Sequence, residues 1–163
     1  MSARRQTLGV SAALIASLAM PSWATGTTAR AERAQRLPRP VSLAAEIERA
    51  LAIRKALVVL VSLDGCPYCQ VVRESYLSPL RAGGQPVVQI ELSRDLALID
   101  FAGRASTHAH VVRGLGVRIA PTVLFLGRAG AEVADRLVGI SNPDFYGGYL
   151  SELVEVANRA AAI

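Results

Sequence analysis

From Ala56 to Leu63 the chain reads Ala-Leu-Val-Val-Leu-Val-Ser-Leu, apolar without alternation, as a strand buried on both faces does. Upstream, Leu43, Ile47, Ala50, Leu51 and Arg54 fall near helical spacing behind Ser42, which predicts a helix capped by that serine and running to about Lys55. Downstream, Asp64-Gly65 marks a turn. Cys66 then stands at the start of a helix through Val71, Val72, Tyr76 and Leu80, with Pro67 at the first helical position, where a missing N–H leaves nothing unsatisfied.

Pro86 to Leu92 predicts a second strand. Ser93 to Arg104 is ambiguous, because Leu96, Ala97, Leu98, Ile99 and Phe101 suit either a short helix or an extra strand ending at Gly103. Ser106 or Thr107 caps a helix through Val111, Val112 and Leu115 that Gly114 and Gly116 stop. After Val117 to Thr122 comes the strand Val123 to Leu126, joined through a turn with Gly127 and Gly130 to a strand near Glu132 to Val138, the spacing of a hairpin. Asn142, Pro143 and Asp144 open a last helix, whose buried stripe is Leu150, Leu153, Val154 and Ala157. Tyr146 and Tyr149 pack on it or edge it.

The N-terminus follows another pattern. Arg4 and Arg5 precede the run Leu8 to Met20, which is too short to span a bilayer comfortably but suits the core of a signal peptide. Ser22 and Ala24 favour cleavage after Ala24, with Ala19 as a competing site; a twin-arginine signal and a retained anchor helix are the alternatives. Residues 25–40 lack hydrophobic periodicity and are expected to be a disordered linker with solvated arginines, leaving 41–163 as one domain. The net charge of +5 suggests a nucleic-acid partner until it is placed. Six of the 18 basic and one of the 13 acidic residues lie before position 40, so the domain is neutral and no nucleic-acid surface is expected.

The two cysteines stand together in Cys66-Pro67-Tyr68-Cys69. On the residues alone this is a redox pair, a metal clip or a structural bridge, whereas a four-cysteine zinc site within one chain is excluded by the count. His108 and His110 are two apart on a predicted helix and point to different faces, so no metal site is expected there.

The element order, with Cys66-Pro67-Tyr68-Cys69 ending the first strand and Ala120-Pro121-Thr122 before the third, resembles the thioredoxin family over roughly residues 42 to 162. That resemblance implies an α/β thioredoxin-like fold: a central mixed sheet of four to five strands flanked by helices. It implies a cis Ala120–Pro121 bond beside the cysteines, and a substrate site formed by Pro67, Tyr68, Ala120, Pro121 and Thr122. Cys66, at a helix start where free N–H groups favour an anion, would attack a substrate disulfide, and the more buried Cys69 would resolve the mixed disulfide. No cofactor beyond the redox-active Cys66–Cys69 disulfide is expected.

Two departures from thioredoxin itself stand out. Gly65 and Pro67-Tyr68 replace its Trp and Gly-Pro, and Leu60 stands where the family has a buried Asp. Asp64 is close to the pair but in the turn, where it reads as a solvated turn residue. Cys-Pro-Tyr-Cys also belongs to glutaredoxins, but Gly147-Gly148 lies too far along to match their Gly-Gly pair. A closer resemblance is to exported, stand-alone thioredoxin-like proteins with Cys-Pro-Tyr-Cys, a Phe-x-Gly segment (Phe101-Ala102-Gly103) and a Gly-Val-x-x-x-Pro-Thr stretch (Gly116 to Thr122), some linked to sulfur oxidation or cytochrome c maturation. This implies a periplasmic, monomeric thiol-disulfide oxidoreductase that reduces protein disulfides with electrons from a membrane thiol reductase. The alternatives are an oxidant of protein thiols and a Cu(I)-binding metallochaperone holding the metal between Cys66 and Cys69.

Overall fold

The computed structural model describes residues 36–140 and 143–163. The expected signal peptide, residues 25–35 of the expected linker and the cap at Asn142 lie outside the described residues. In order, the elements are α1 (Leu43–Ala52), β1 (Leu57–Ser62), α2 (Pro67–Val71), a π-helical segment (Val72–Leu77), α3 (Ser78–Ala82), β2 (Val87–Glu91), β3 (Ala97–Ile99) and β4 (Ala105–Thr107). Then follow α4 (His108–Gly114), β5 (Thr122–Leu126), a 3-10 turn (Arg128–Gly130), β6 (Glu132–Val138) and α5 (Pro143–Ala161).

Four strands form a mixed sheet in the order β2-β1-β5-β6, with β1 parallel to β2 and antiparallel to β5. The unbroken apolar run of β1 follows from what covers it. Leu57, Val59 and Val61 enter one core with α1 and α4. Val58 and Leu60 enter a second, with Val72, Leu77 and Leu150 from the helices of the opposite face. A strand with cores on both sides has no face left for polar residues.

The helix behind Ser42 forms as expected, with Ser42 Oγ accepting a hydrogen bond from the Ala45 amide at 3.2 Å. It stops at Ala52 rather than Lys55, because Arg54 turns to a left-handed φ of 56° and is exposed instead of joining the buried stripe. The ambiguous stretch is neither one helix nor one strand. It is a separate two-stranded hairpin in which Ala97 pairs with Thr107 and Ile99 with Ala105. Asp100 sets its tip: Oδ1 accepts from the amides of Ala102 and Arg104, each at 2.9 Å. Thr107, not Ser106, then caps α4 through the His110 amide. At the tip, Phe101 lies against Gly130, where an added Cβ would meet the ring at 2.6 Å.

Residues 36–40, expected to be the end of a disordered linker, are part of the domain. Leu37 is 6% exposed in the core beneath β1, the Gln89 amide donates to the Pro38 carbonyl at 2.9 Å, and Arg39 pairs with Glu91. Low hydrophobicity hid this, because the segment is fixed by one apolar side chain and by contacts made some fifty positions away. Leu37→Ala should therefore lower unfolding stability by about 2–4 kcal/mol, the usual cost of emptying a buried leucine site. Urea unfolding of the chain and its variant measures this, and identical midpoints would return Leu37 to the linker.

Candidate redox site

β1 ends at Ser62, and the chain turns through Leu63, Asp64 and Gly65, with Gly65 at a φ of 70° that favours glycine. Cys66 follows as the residue capping α2, with Pro67 behind it at the first helical position. Cys66 and Cys69 form a disulfide across this helix start, with Cα atoms 5.2 Å apart. The two ends of the bridge differ: Cys66 is half-buried, whereas Cys69 is fully buried, and the Cys69 amide donates to Cys66 Sγ at 3.1 Å. Tyr68, between them, is 66% exposed.

The Ala120–Pro121 peptide bond is cis. Register brings this loop to the same end of the sheet as the cysteines, because Thr122 pairs with Val61 one residue before the end of β1. Pro121 and Thr122 are buried and Ala120 half-buried. The Thr122 hydroxyl donates to the Ile119 carbonyl at 2.7 Å, and the Gly139 amide to the Pro121 carbonyl at 2.7 Å, so the loop is held from both sides. Asp64 is exposed and paired with Arg94 at 2.6 Å, and in that setting the pair contributes little to stability. Leu60 is fully buried among apolar side chains, so no carboxylate occupies that place.

A polar group not expected from the sequence lies at this end of the sheet. Ser62, Gln89, Glu91 and His108 are all buried. Arg73, two turns beyond Cys66, donates from Nε to Gln89 Oε1 at 2.7 Å and from Nη2 to Ser62 Oγ at 3.1 Å. Gln89 Nε2 in turn donates to Glu91 Oε1 at 2.8 Å, and Arg39 donates to the same oxygen. The signal lay in the strands themselves: a sheet covered on both faces leaves no solvent for the Gln and Glu of Val-Val-Gln-Ile-Glu. His108 Nδ1 accepts from the Glu91 amide at 3.0 Å, whereas His110 is exposed. Among the described residues no group of three or more His, Cys, Asp or Glu is placed to hold a metal.

Burial holds the His108 pKa below the ordinary imidazole value; the Glu91 charge opposes this and Arg39 reinforces it. The accepted Glu91 amide also requires Nδ1 to be unprotonated. A histidine depressed in the folded state takes up its proton more readily when unfolded, so its contribution is complete above about pH 6.5 and is lost as pH falls below that value. Stability should therefore drop between pH 7 and 5 by up to about 1.4 kcal/mol per unit. His108→Asn, whose Oδ1 can accept the same amide, should flatten that slope by one proton. Denaturant titrations across this range test it, and equal slopes for the two proteins would exclude His108 as the titrating group.

The family model described as "Thioredoxin-like domain" matches residues 43–153. None of the curated proteins matches. Among solved structures, the chain is similar to the thioredoxin NaTrxh from Nicotiana alata, at 19% identity over 73% of this chain and 96% of that one, with a TM-score of 0.48. It is also similar to the periplasmic thioredoxin SoxS from Paracoccus pantotrophus, at 20% identity over 63% of this chain and 99% of that one, with a TM-score of 0.43. A thioredoxin from Thermus thermophilus is 23% identical over 74% of this chain and 88% of that one, with a TM-score of 0.48.

Proposed function

The chain belongs to the thioredoxin-like domain family and is a thiol-disulfide oxidoreductase, and from that premise we propose that it reduces protein disulfides in the periplasm. The observation that carries this reading is the asymmetry of the pair: Cys66 is reachable, and Cys69 is buried one turn behind it. An incoming disulfide meets Cys66 first, at the start of a helical run whose free amides favour the thiolate. The mixed disulfide that forms is then opened by Cys69, which releases the reduced substrate. Pro67, Tyr68, Ala120, Pro121 and Thr122 form the surface on which the substrate backbone docks, and the Cys66–Cys69 bridge is the only redox group required.

Direction follows from how strongly the thiolate is held. A strong oxidant stabilises its reduced form. Here, among the described residues, the Cys69 amide is the donor to Cys66 Sγ and no cationic side chain bonds it. We take the direction to be reduction, with a potential nearer the thioredoxin value of about −270 mV than the DsbA value of about −120 mV. Location rests on Arg4, Arg5 and the run Leu8 to Met20, and the substrates are disulfide-containing proteins of that compartment. Because the compartment is oxidising, the monomer draws its electrons from a membrane thiol reductase.

Cys66→Ser should reduce insulin reduction to the uncatalysed background, and Cys69→Ser should accumulate mixed disulfides with partner proteins. Capture by Cys66→Ser instead would reverse the two roles. Equilibration with glutathione should place the potential below about −200 mV, and a value near that of DsbA would make the protein an oxidant. Anaerobic copper titration covers the metallochaperone alternative: tight stoichiometric Cu(I) with no insulin reduction would replace the proposal.

A further inference from the structure

A cavity of about 820 Å³ opens beside Cys66, on the side of the helix lined by Gln70 and Arg73 and closed by Arg36, Arg39 and Gln89. The loop of Pro121 contributes no lining residue, so the cavity is a second approach to the attacking sulfur, which shares Pro67 alone with the surface proposed for protein backbones. Its volume is that of a small-molecule site.

Arg73 is the unusual group in its wall. Arg73 is half-buried, and its guanidinium is fixed by two neutral acceptors on the buried residues Gln89 and Ser62, at Oε1 and Oγ. These bonds use two of its five N–H donors, and among the described residues no carboxylate pairs with it. Of the other charges at the wall, Arg39 is paired with Glu91 and Asp64 with Arg94, whereas Arg36 has no ion pair among the described residues. Glu74 is exposed and bonded to Gln70. A cation held rigid, partly desolvated and without a counter-ion is arranged to receive a planar or tetrahedral oxyanion.

We propose that this cavity is a subsite for the anionic group of a low-molecular-weight disulfide, with Arg73 as its ligand, so that carboxylate- or sulfonate-bearing disulfides are substrates beside proteins. The proposal rests on the exchange reading above and adds a substrate class to it. With the anion on Arg73, the Cys66 thiolate attacks the nearer substrate sulfur. The substrate S–S bond breaks, a Cys66 mixed disulfide forms and the first thiolate leaves. Cys69 then attacks Cys66 Sγ, the Cys66–Cys69 bond forms and the second thiolate leaves. Two electrons pass from the cysteine pair to the substrate, and the two cysteine protons end on the two product thiols.

The test is the rate at which the dithiol form reduces dithiodipropionate, hydroxyethyl disulfide and cystamine (anionic, neutral and cationic), each divided by its rate with free dithiothreitol. The normalised rate for the anionic substrate should exceed that for the neutral one by roughly tenfold, with the cationic one slowest. Arg73→Gln should shrink the anionic-to-neutral ratio at least about fivefold, Arg73→Lys should retain part of it, and raising salt to about 0.5 M should reduce it in the parent protein. A parent ratio within about twofold of one, or a ratio unchanged in Arg73→Gln, overturns the subsite. If Arg73→Gln does not fold, the parent ratio, its salt dependence and Arg73→Lys still decide. Insulin reduction in parallel separates the two claims: insulin reduced without preference among the small disulfides overturns the subsite alone, and nothing reduced at all removes the exchange reading beneath it.

Discussion

β1 is enclosed on four sides: β2 and β5 pair with its backbone, and two apolar cores take its alternate side chains. A slip of one residue would turn Val59 and Val61 out of one core and Leu60 out of the other, so the register is strongly specified. That fixes where the strand ends. The turn after Ser62 then delivers Cys66 to a set point above the sheet, and the pairing of Val61 with Thr122 brings the Pro121 loop to the same end. Two loops from distant parts of the chain are thereby held at one end of the sheet, and one buried strand supplies the frame for both.

The same enclosure explains why polar side chains at the sheet end are bonded to one another. Ser62 and Gln89 are buried, and Arg73, reaching across from the helix of the cysteines, serves both. Glu91 is satisfied through one oxygen by Gln89 and Arg39, while its other oxygen is buried without a partner. Arg39 comes from the segment that lies along the open edge of β2. Pro38 and Pro40 flank it and lack N–H groups, so the segment accepts one bond from the Gln89 amide without offering a new edge for pairing.

The strands, the helix of the cysteines and the β5–β6 hairpin were legible because each carries its own period and punctuation. Ser42 and Pro67 did in the structure what their types imply. The β3–β4 hairpin was not legible, since strands of three residues hold too little pattern and their turn is built by one aspartate side chain. Residues 36–40 were misread for a different reason: composition measures how much a segment can bury by itself, and Leu37 and Arg39 are ordered by partners far along the chain. The buried polar group fell between these cases. Ser62, Gln89 and Arg73 are ordinary residues singly, and only the pairing of Ser62 with Glu91 in β2 and the path of the helix above show that they meet.

Leu60 sharpens how the cysteine pair must work. In a site with a buried carboxylate under the resolving thiol, that group can take the proton as Cys69 attacks. Here the place holds a fully buried leucine packed with Val58, Val72 and Leu77. Glu91 Oε1 is committed to Gln89 and Arg39, and its Oε2 is buried without a partner. On the exchange proposed above, a base available as Cys69 attacks is the thiolate that has just left the substrate, or water. Where the departed thiolate is the base, the rate of the second step follows its basicity, so the substrate contributes chemistry that a buried acid would otherwise provide.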